Sequence, residues 1–152
     1  MDSIDRKIVG LIQADARQSY ADIGAAVGLS VSAVNERLKK LERSGAIRGW
    51  TALVDPAAAG CGVLAYVQVL IERPEHEAAF LALVQSEPAI QECHHVTGDW
   101  SYLLKVRVAD MAGLEALLAQ RIKTLPGIPR SHSVVVLSSA KETPVMPVHG
   151  PA

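Results

Sequence analysis

The side chains with the most chemical potential stand together in "QECHHV". Cys93, His94 and His95 offer a thiol and two imidazoles, the donors of zinc sites and of nucleophile–base pairs. Their adjacency works against both uses. On an extended strand Cys93 and His95 face one way and His94 the other, so the three do not converge on one ion or one substrate. No second Cys/His cluster supplies the remaining ligands, and Cys61 and Cys93, the only two cysteines, form no CxxC pair. No metal and no other cofactor is expected, and the chain is not expected to be an enzyme.

A second constellation lies in "GLSVSAVNERLKKLERSG", Gly28 to Gly45. Ser30 can cap a helix that runs to Ser44, with Val31, Val34, Leu38 and Leu41 in one stripe that must pack inward. Opposite lie Ser32, Ala33, Glu36, Lys39, Lys40 and Arg43, which make either a solvated charged face or a face shaped for a DNA groove. Small Ser32 and Ala33 let the helix approach base edges, Ala33 suits a thymine methyl, and Glu36 can accept from cytosine N4. Asn35, on the flank, suits adenine or a phosphate. Arg37, Lys39, Lys40 and Arg43 suit phosphates, which supply register and affinity rather than sequence choice. Arg37 serves equally well as a brace against neighbouring helices. Arg48 and Trp50 just beyond could touch the DNA backbone as a small wing, although a hinge role against the next domain is the preferred reading of Trp50.

The elements that must position this face are legible in the apolar spacing. Ile4, Ile8, Leu11 and Ile12 follow the helical period, so a first helix is expected over residues 3–14. "SYADIGAAVG" reads as a second helix capped by Ser19 and stopped by Gly28. Gly24, Gly28 and Val34 reproduce the spacing of a helix-turn-helix, a close approach, a left-handed turn and a β-branched lock. Asp55-Pro56 and the small-residue run "AAAGCG" make the best boundary. Residues 1–55 then form a DNA-binding domain, 56–61 a hinge, 62–140 a second domain and 141–152 a tail whose end is expected to be mobile.

The second domain carries an internal repeat. "VLAYVQVLI", "EHEAAFLALVQSE", Pro88-Ala89-Ile90 and "QECHHV" are followed by "SYLLKVRV", "DMAGLEALLAQRIKTL", Pro126-Gly127-Ile128 and "RSHSVVVL". Each half reads strand–helix–strand, and two such split units make a ferredoxin-like βαββαβ sandwich. Phe80/Leu83/Val84 and Leu114/Leu117/Leu118 would cover one sheet face. The other face lacks a cover within the chain, which points to a dimer at least. The fold class is α+β, a winged helix-turn-helix followed by a ferredoxin-like βαββαβ domain.

Composition sets the outer bounds. The 152 residues are 49% apolar and 20% charged, as in soluble globular proteins. No apolar run reaches membrane-spanning length and no leader precedes the first helix, so a cytoplasmic protein with no membrane partner is expected. The net charge of -1 hides an asymmetry: residues 1–50 hold eight Lys/Arg against six Asp/Glu, the remainder seven against ten. The N-terminal part is the half suited to an anion.

The order helix-turn-helix, hinge, βαββαβ resembles the Lrp/AsnC, or feast/famine, family of prokaryotic transcription regulators over roughly residues 2–145. The resemblance is carried by residues 4–60 together with "HHVTGDWSYLLKVRV" and "LPGIPRSHSVVVL". It implies sequence-specific binding of double-stranded DNA by Ser30, Ser32, Ala33, Asn35, Glu36, Arg37, Lys39, Lys40 and Arg43. It also implies homodimers that join into tetramers or octamers, and a small effector, usually an amino acid, held between dimers. "VTGDWSYLLKV" is similar to the family's effector loop and "RSHSVVVL" to its last strand, which makes Gly98, Asp99, Ser101, Ser131 and Ser133 the effector candidates. The family pattern places an acidic residue where this chain has Ser101, so an α-ammonium loses a charge-assisted partner there. An enzyme alternative shares the architecture: sirohaem decarboxylases, which set basic and histidine side chains around a tetrapyrrole. The intact polar face of residues 30–44 speaks against it.

Overall fold

The computed structural model describes residues 1–148, which form two compact units. One comprises residues 1–52 with the chain from Lys141 onward, the other residues 53–140. The first unit is built on three helices: α1 (Ser3–Ala14), α2 (Tyr20–Val27) and α3 (Val31–Arg43). Each begins at a side-chain cap. Asp2 and Asp5 form a reciprocal capping box at α1, the Asp5 amide donating to Asp2 Oδ1 at 2.7 Å and the Asp2 amide to Asp5 Oδ2 at 3.1 Å. Ser19 Oγ accepts from the Asp22 amide at 3.1 Å and Ser30 Oγ from the Ala33 amide at 3.3 Å. The apolar stripes of the helices meet in one core of Ile8, Ile12, Ile23, Val34 and Leu38.

Two glycines make the turn between α2 and α3. Gly28 sits at φ 73°, the left-handed region that a side chain resists. Gly24 gives room: a Cβ there would lie 2.5 Å from the Leu29 carbonyl oxygen and 3.6 Å from Val34 Cγ2. After α3 the chain runs on without forming a ladder. Residues 48–54 have no strand partner, so the wing anticipated around Arg48-Gly49-Trp50 is an unpaired segment. Trp50 differs from its expected hinge role as well. Its indole N–H donates to Glu42 on α3 at 2.8 Å, which turns the ring back onto its own unit. The tail also returns to this unit, where Gln13 bonds the backbone of Met146. The mobility expected at the tail's far end concerns residues beyond 148 and lies outside the described residues.

The second unit opens with Asp55–Cys61, which the chain folds into consecutive turns: Asp55 Oδ1 accepts from the Ala58 amide at 2.8 Å and the Pro56 carbonyl from the Cys61 amide at 2.7 Å. Then come β1 (Val63–Leu70), α4 (Glu77–Ser86), β2 (Ile90–His95), β3 (Tyr102–Val108), α5 (Met111–Ala116) and β4 (Arg130–Val135). The sheet is antiparallel throughout in the order β2-β3-β1-β4, the ferredoxin-like arrangement the repeat implied. Ala65, Val67, Val69, Tyr102, Leu104 and Val106 point to the face covered by Phe80, Leu83, Leu114 and Leu117. Past Ala116 the helix widens to π geometry over Leu117–Ile122, marked by the Lys123 amide reaching back to the Leu118 carbonyl at 2.9 Å. The wider turn brings Ile122 fully into the core and leaves Leu118 at its edge, a shift that a regular helical period does not anticipate.

Candidate nucleic-acid interface and effector site

The outward face of α3 is the better defined of the two candidate sites. Val34, Leu38 and Leu41 are buried, while Ser32, Glu36, Lys39, Lys40 and Arg43 are exposed and Ala33 and Asn35 are half-buried on the flanks. Val31, placed with the inward stripe by spacing, is 52% exposed because it sits at the first helical position, ahead of the core. Ser30 spends its hydroxyl on the cap and lies 3.1 Å from Ser32 Oγ. Lys39 Nζ pairs with Glu36 Oε1 at 3.3 Å, with both side chains more than half exposed. An exposed pair of this kind is worth about 1 kcal/mol or less, so a phosphate or a base edge can displace it. Lys40 points outward, and Arg43 Nε donates to the Lys39 carbonyl at 3.3 Å, which leaves its terminal amino groups facing solvent.

Arg37 does something else. Its Nη1 bonds Asp2 Oδ2 at 2.7 Å and Asp5 Oδ1 at 2.6 Å, clamping the middle of α3 to the first turn of α1. Asp5 is only 5% exposed, so this guanidinium balances a charge that the fold has taken from water. The Asp5 amide first and Arg37 second hold the Asp2 carboxyl down to about 2. Of the two roles open to Arg37 in the sequence, the structure occupies it as the brace, and a phosphate would have to compete with two carboxylates. The Asp-x-x-Asp spacing at the start of α1 signals the capping box, but the need for a cation comes from the burial of Asp5, which sequence spacing does not show.

The effector candidates gather around the end of β1 but do not all face one way. Gly98 lies in the β2–β3 loop at φ 103°, with no atom within 4 Å of where a Cβ would be. Asp99 beside it is exposed. Ser101 is committed to the fold. Its amide donates to the Val69 carbonyl at 3.0 Å and its Oγ accepts from the Ile71 amide at 2.9 Å, tying the loop to β1. Ser131 and Ser133 pair with Val69 and Val67, so they share the covered side of the sheet, half-buried. Arg130 and His132 take the open side, opposite Leu70 and Gln68, where Trp100 stacks against both. Sequence spacing gave no sign of that stack, since Trp100 and Arg130 meet only through the sheet. A cavity of about 350 Å³ between α4 and β2 is lined by Val84, Glu87, Pro88, Gln91 and Cys93, and no effector candidate lines it.

The thiol–imidazole cluster is divided as strand geometry requires. Cys93 pairs with Leu104 on the covered side, where burial pushes its thiol pKa up, away from the reactive thiolate. His95 stacks on Tyr102, ring centroids 5.1 Å apart. His94 points to the open face and lies 3.2 Å from Glu92 Oε2.

Comparison with known proteins agrees with this geometry along the chain. The AsnC-type helix-turn-helix domain matches residues 1–42 and the Lrp/AsnC ligand binding domain matches residues 64–146. The leucine-responsive regulatory protein of Escherichia coli K12 is 39% identical over 145 residues, covering 94% of this chain and 88% of that protein. Among solved structures, a Neisseria meningitidis transcriptional regulator in complex with L-methionine superposes with a TM-score of 0.92 at 29% identity, covering 97% of this chain and 96% of that one. The Mycobacterium tuberculosis feast or famine regulatory protein complexed with L-methionine has a TM-score of 0.87 at 34% identity, with 95% and 97% covered. The chain belongs to the Lrp/AsnC family of transcription regulators.

Proposed function

We propose that α3 is the recognition helix of a sequence-specific regulator and reads double-stranded DNA as one half of a homodimer. The observation that carries this is the division of labour on α3. Its apolar stripe is buried, its Arg37 is consumed by Asp2 and Asp5, and small, acidic and basic side chains remain on the free face. Ser32, Ala33, Asn35 and Glu36 take the base edges; Lys39, Lys40 and Arg43 take phosphates. Ser30 acts through the cap that starts the helix. Two such helices in one dimer demand half-sites about one helical turn apart. The open sheet face, with Tyr66 and Val134 exposed, is the surface we assign to the dimer, and further assembly to a tetramer or octamer follows the family pattern.

A small effector, with an amino acid as the first candidate, binds the second unit near Gly98, Asp99, Ser101, Ser131 and Ser133. It shifts DNA binding only to the extent that it prefers one assembly over another. The L-methionine complexes of two similar structures support that ligand class. Residues 56–61 serve as the hinge between reading and sensing units. We assign the protein no catalytic step and place it in the cytoplasm, where a DNA-binding bacterial regulator meets its target; no described helix is long and apolar enough to cross a membrane.

Three substitutions test the assignment. Lys40→Ala should weaken binding to all duplexes alike and lower the salt slope by about one. Ser32→Ala and Glu36→Gln should instead change the preferred sequence, with discrimination altered by about 1–3 kcal/mol at the affected base pair. Fluorescence anisotropy on a panel of duplexes at several salt concentrations measures both. Unchanged binding in all three variants contradicts the assignment of α3.

A further inference from the structure

The chain leaves α3 through a corner that is anchored at both ends. Ile47 packs against the core of the first unit, and its amide donates to the Leu41 carbonyl at 3.1 Å. A little further on, the Trp50 indole N–H donates to Glu42 Oε1 at 2.8 Å. Both anchors fall on the last turn of α3, and the whole corner lies within the first unit. Arg48 and Gly49 span the gap between the anchors, and both are exposed. Nothing lies within 4 Å of where a Gly49 Cβ would be, so that side of the corner opens to solvent.

Arg48 is the cation this corner displays. Among the described residues no carboxylate, carbonyl or ring engages its side chain. Arg37, by contrast, is held by Asp2 and Asp5, and Arg43 Nε is given to the Lys39 carbonyl. Glu42 is the odd residue nearby. A carboxylate beside Arg43, on the stretch of α3 assigned to phosphates, works against the DNA backbone. Its bond to Trp50 accounts for it, since that bond closes the corner. A loop free to move gives up backbone and side-chain freedom when a phosphate captures it, and a loop already pinned gives up less.

We propose that Arg48 grips a DNA phosphate beyond the end of the recognition helix, and that the Trp50–Glu42 bond holds the corner from which it reaches. The inference rests on the assignment of α3 as the recognition helix and adds a contact outside that helix. Arg48 makes the contact, while Trp50 and Glu42 are positioning residues. A phosphate contact of this kind adds affinity and register, not a choice of base.

Fluorescence anisotropy of the full-length protein on its upstream intergenic duplex and on a random duplex, over a range of salt, tests it. Arg48→Ala should weaken both by about tenfold at low salt, the loss expected for one charge-assisted contact. Its salt slope should fall by about one. Trp50→Phe keeps an aromatic ring but has no N–H to donate. In that background Arg48→Ala should cost only about twofold, because the corner is already loose. Glu42→Gln and Glu42→Ala both remove the charge, but only the glutamine can still accept from the indole. Glu42→Gln should therefore bind several-fold more tightly than Glu42→Ala. Glu42, Arg48 and Trp50 are all exposed, so each variant should keep the helical circular dichroism of the parent.

Wild-type affinity and slope in Arg48→Ala overturn the proposal. So does a full tenfold cost of Arg48→Ala in the Trp50→Phe background, or equal binding by the two Glu42 variants. Lys40→Ala on the same duplexes separates this failure from a deeper one. If it lowers affinity and slope while Arg48→Ala changes neither, only the added contact falls. If neither variant changes them, the assignment of α3 falls as well.

Discussion

Gly24→Val is expected to unfold the N-terminal helices at temperatures where the second unit remains folded, and to remove DNA binding with them. A Cβ at this position would stand 2.5 Å from the Leu29 carbonyl oxygen, an atom of the backbone turn that cannot swing aside. The two valine methyls would then press toward Val34, whose Cγ2 is 3.6 Å from that Cβ and whose side chain is fully buried. Overpacking of a tight site costs about 1–3 kcal/mol and more where backbone must move. Replacing glycine inside a helix returns at most about 1 kcal/mol, which does not offset it. The loss falls on the crossing of α2 and α3, the geometry that presents Ser32, Glu36 and Lys40. Circular dichroism melting with anisotropy on the same samples measures both effects. Gly10→Ala is the control: nothing lies within 4 Å of its Cβ, so it should leave binding intact and raise stability by about 0.5–1 kcal/mol.

The second large effect belongs to the other core. Phe80→Ala should destabilise residues 53–140 by about 3–5 kcal/mol, since the ring is fully buried and lies tilted against Tyr102 with centroids 5.0 Å apart. For a unit of this size that corresponds to a fall in melting temperature of well over about 10 °C. Tyr102 reports the damage. Its hydroxyl donates to Glu77 Oε1 at 2.5 Å, and this bond, with the burial around it, pushes the phenol up to about 12. In Phe80→Ala the tyrosine titration should move back toward its ordinary value as the Tyr102–Glu77 contact loosens. The core of Ile8, Ile23 and Val34 shares no residue with that of Phe80, so the first unit should keep its own transition. One joint transition shifted as a whole would contradict the division into two cores.

The parts of this protein legible in sequence are those governed by local physics. Caps at Ser19 and Ser30, the stop at Gly28 and the apolar period of α3 from Val34 to Leu41 each follow from residues within a few positions of one another, and the structure contains all four. The strand–helix–strand repeat was legible for the same reason. What stayed hidden depends on partners distant in the chain. Arg37 chooses between phosphate and brace according to Asp2 and Asp5, more than thirty residues away. Trp50 folds back because Glu42 accepts its N–H, and no periodicity announces that. Ser101 could be recognised as a departure from the family pattern, but its bond to the Ile71 amide comes from the sheet. Trp100 and Arg130 meet across strands, which is why the cationic character of that corner appears only in three dimensions.

Recognition of a particular DNA sequence through α3 is the property on which the regulator reading stands. Its most direct test is fluorescence anisotropy of the full-length protein on its own upstream intergenic DNA, with a random duplex as control and salt as the variable. Binding should favour the upstream DNA over the control at every salt concentration and weaken steeply as salt rises, because phosphate contacts release counterions. Equal binding to both duplexes across the whole salt range would contradict it.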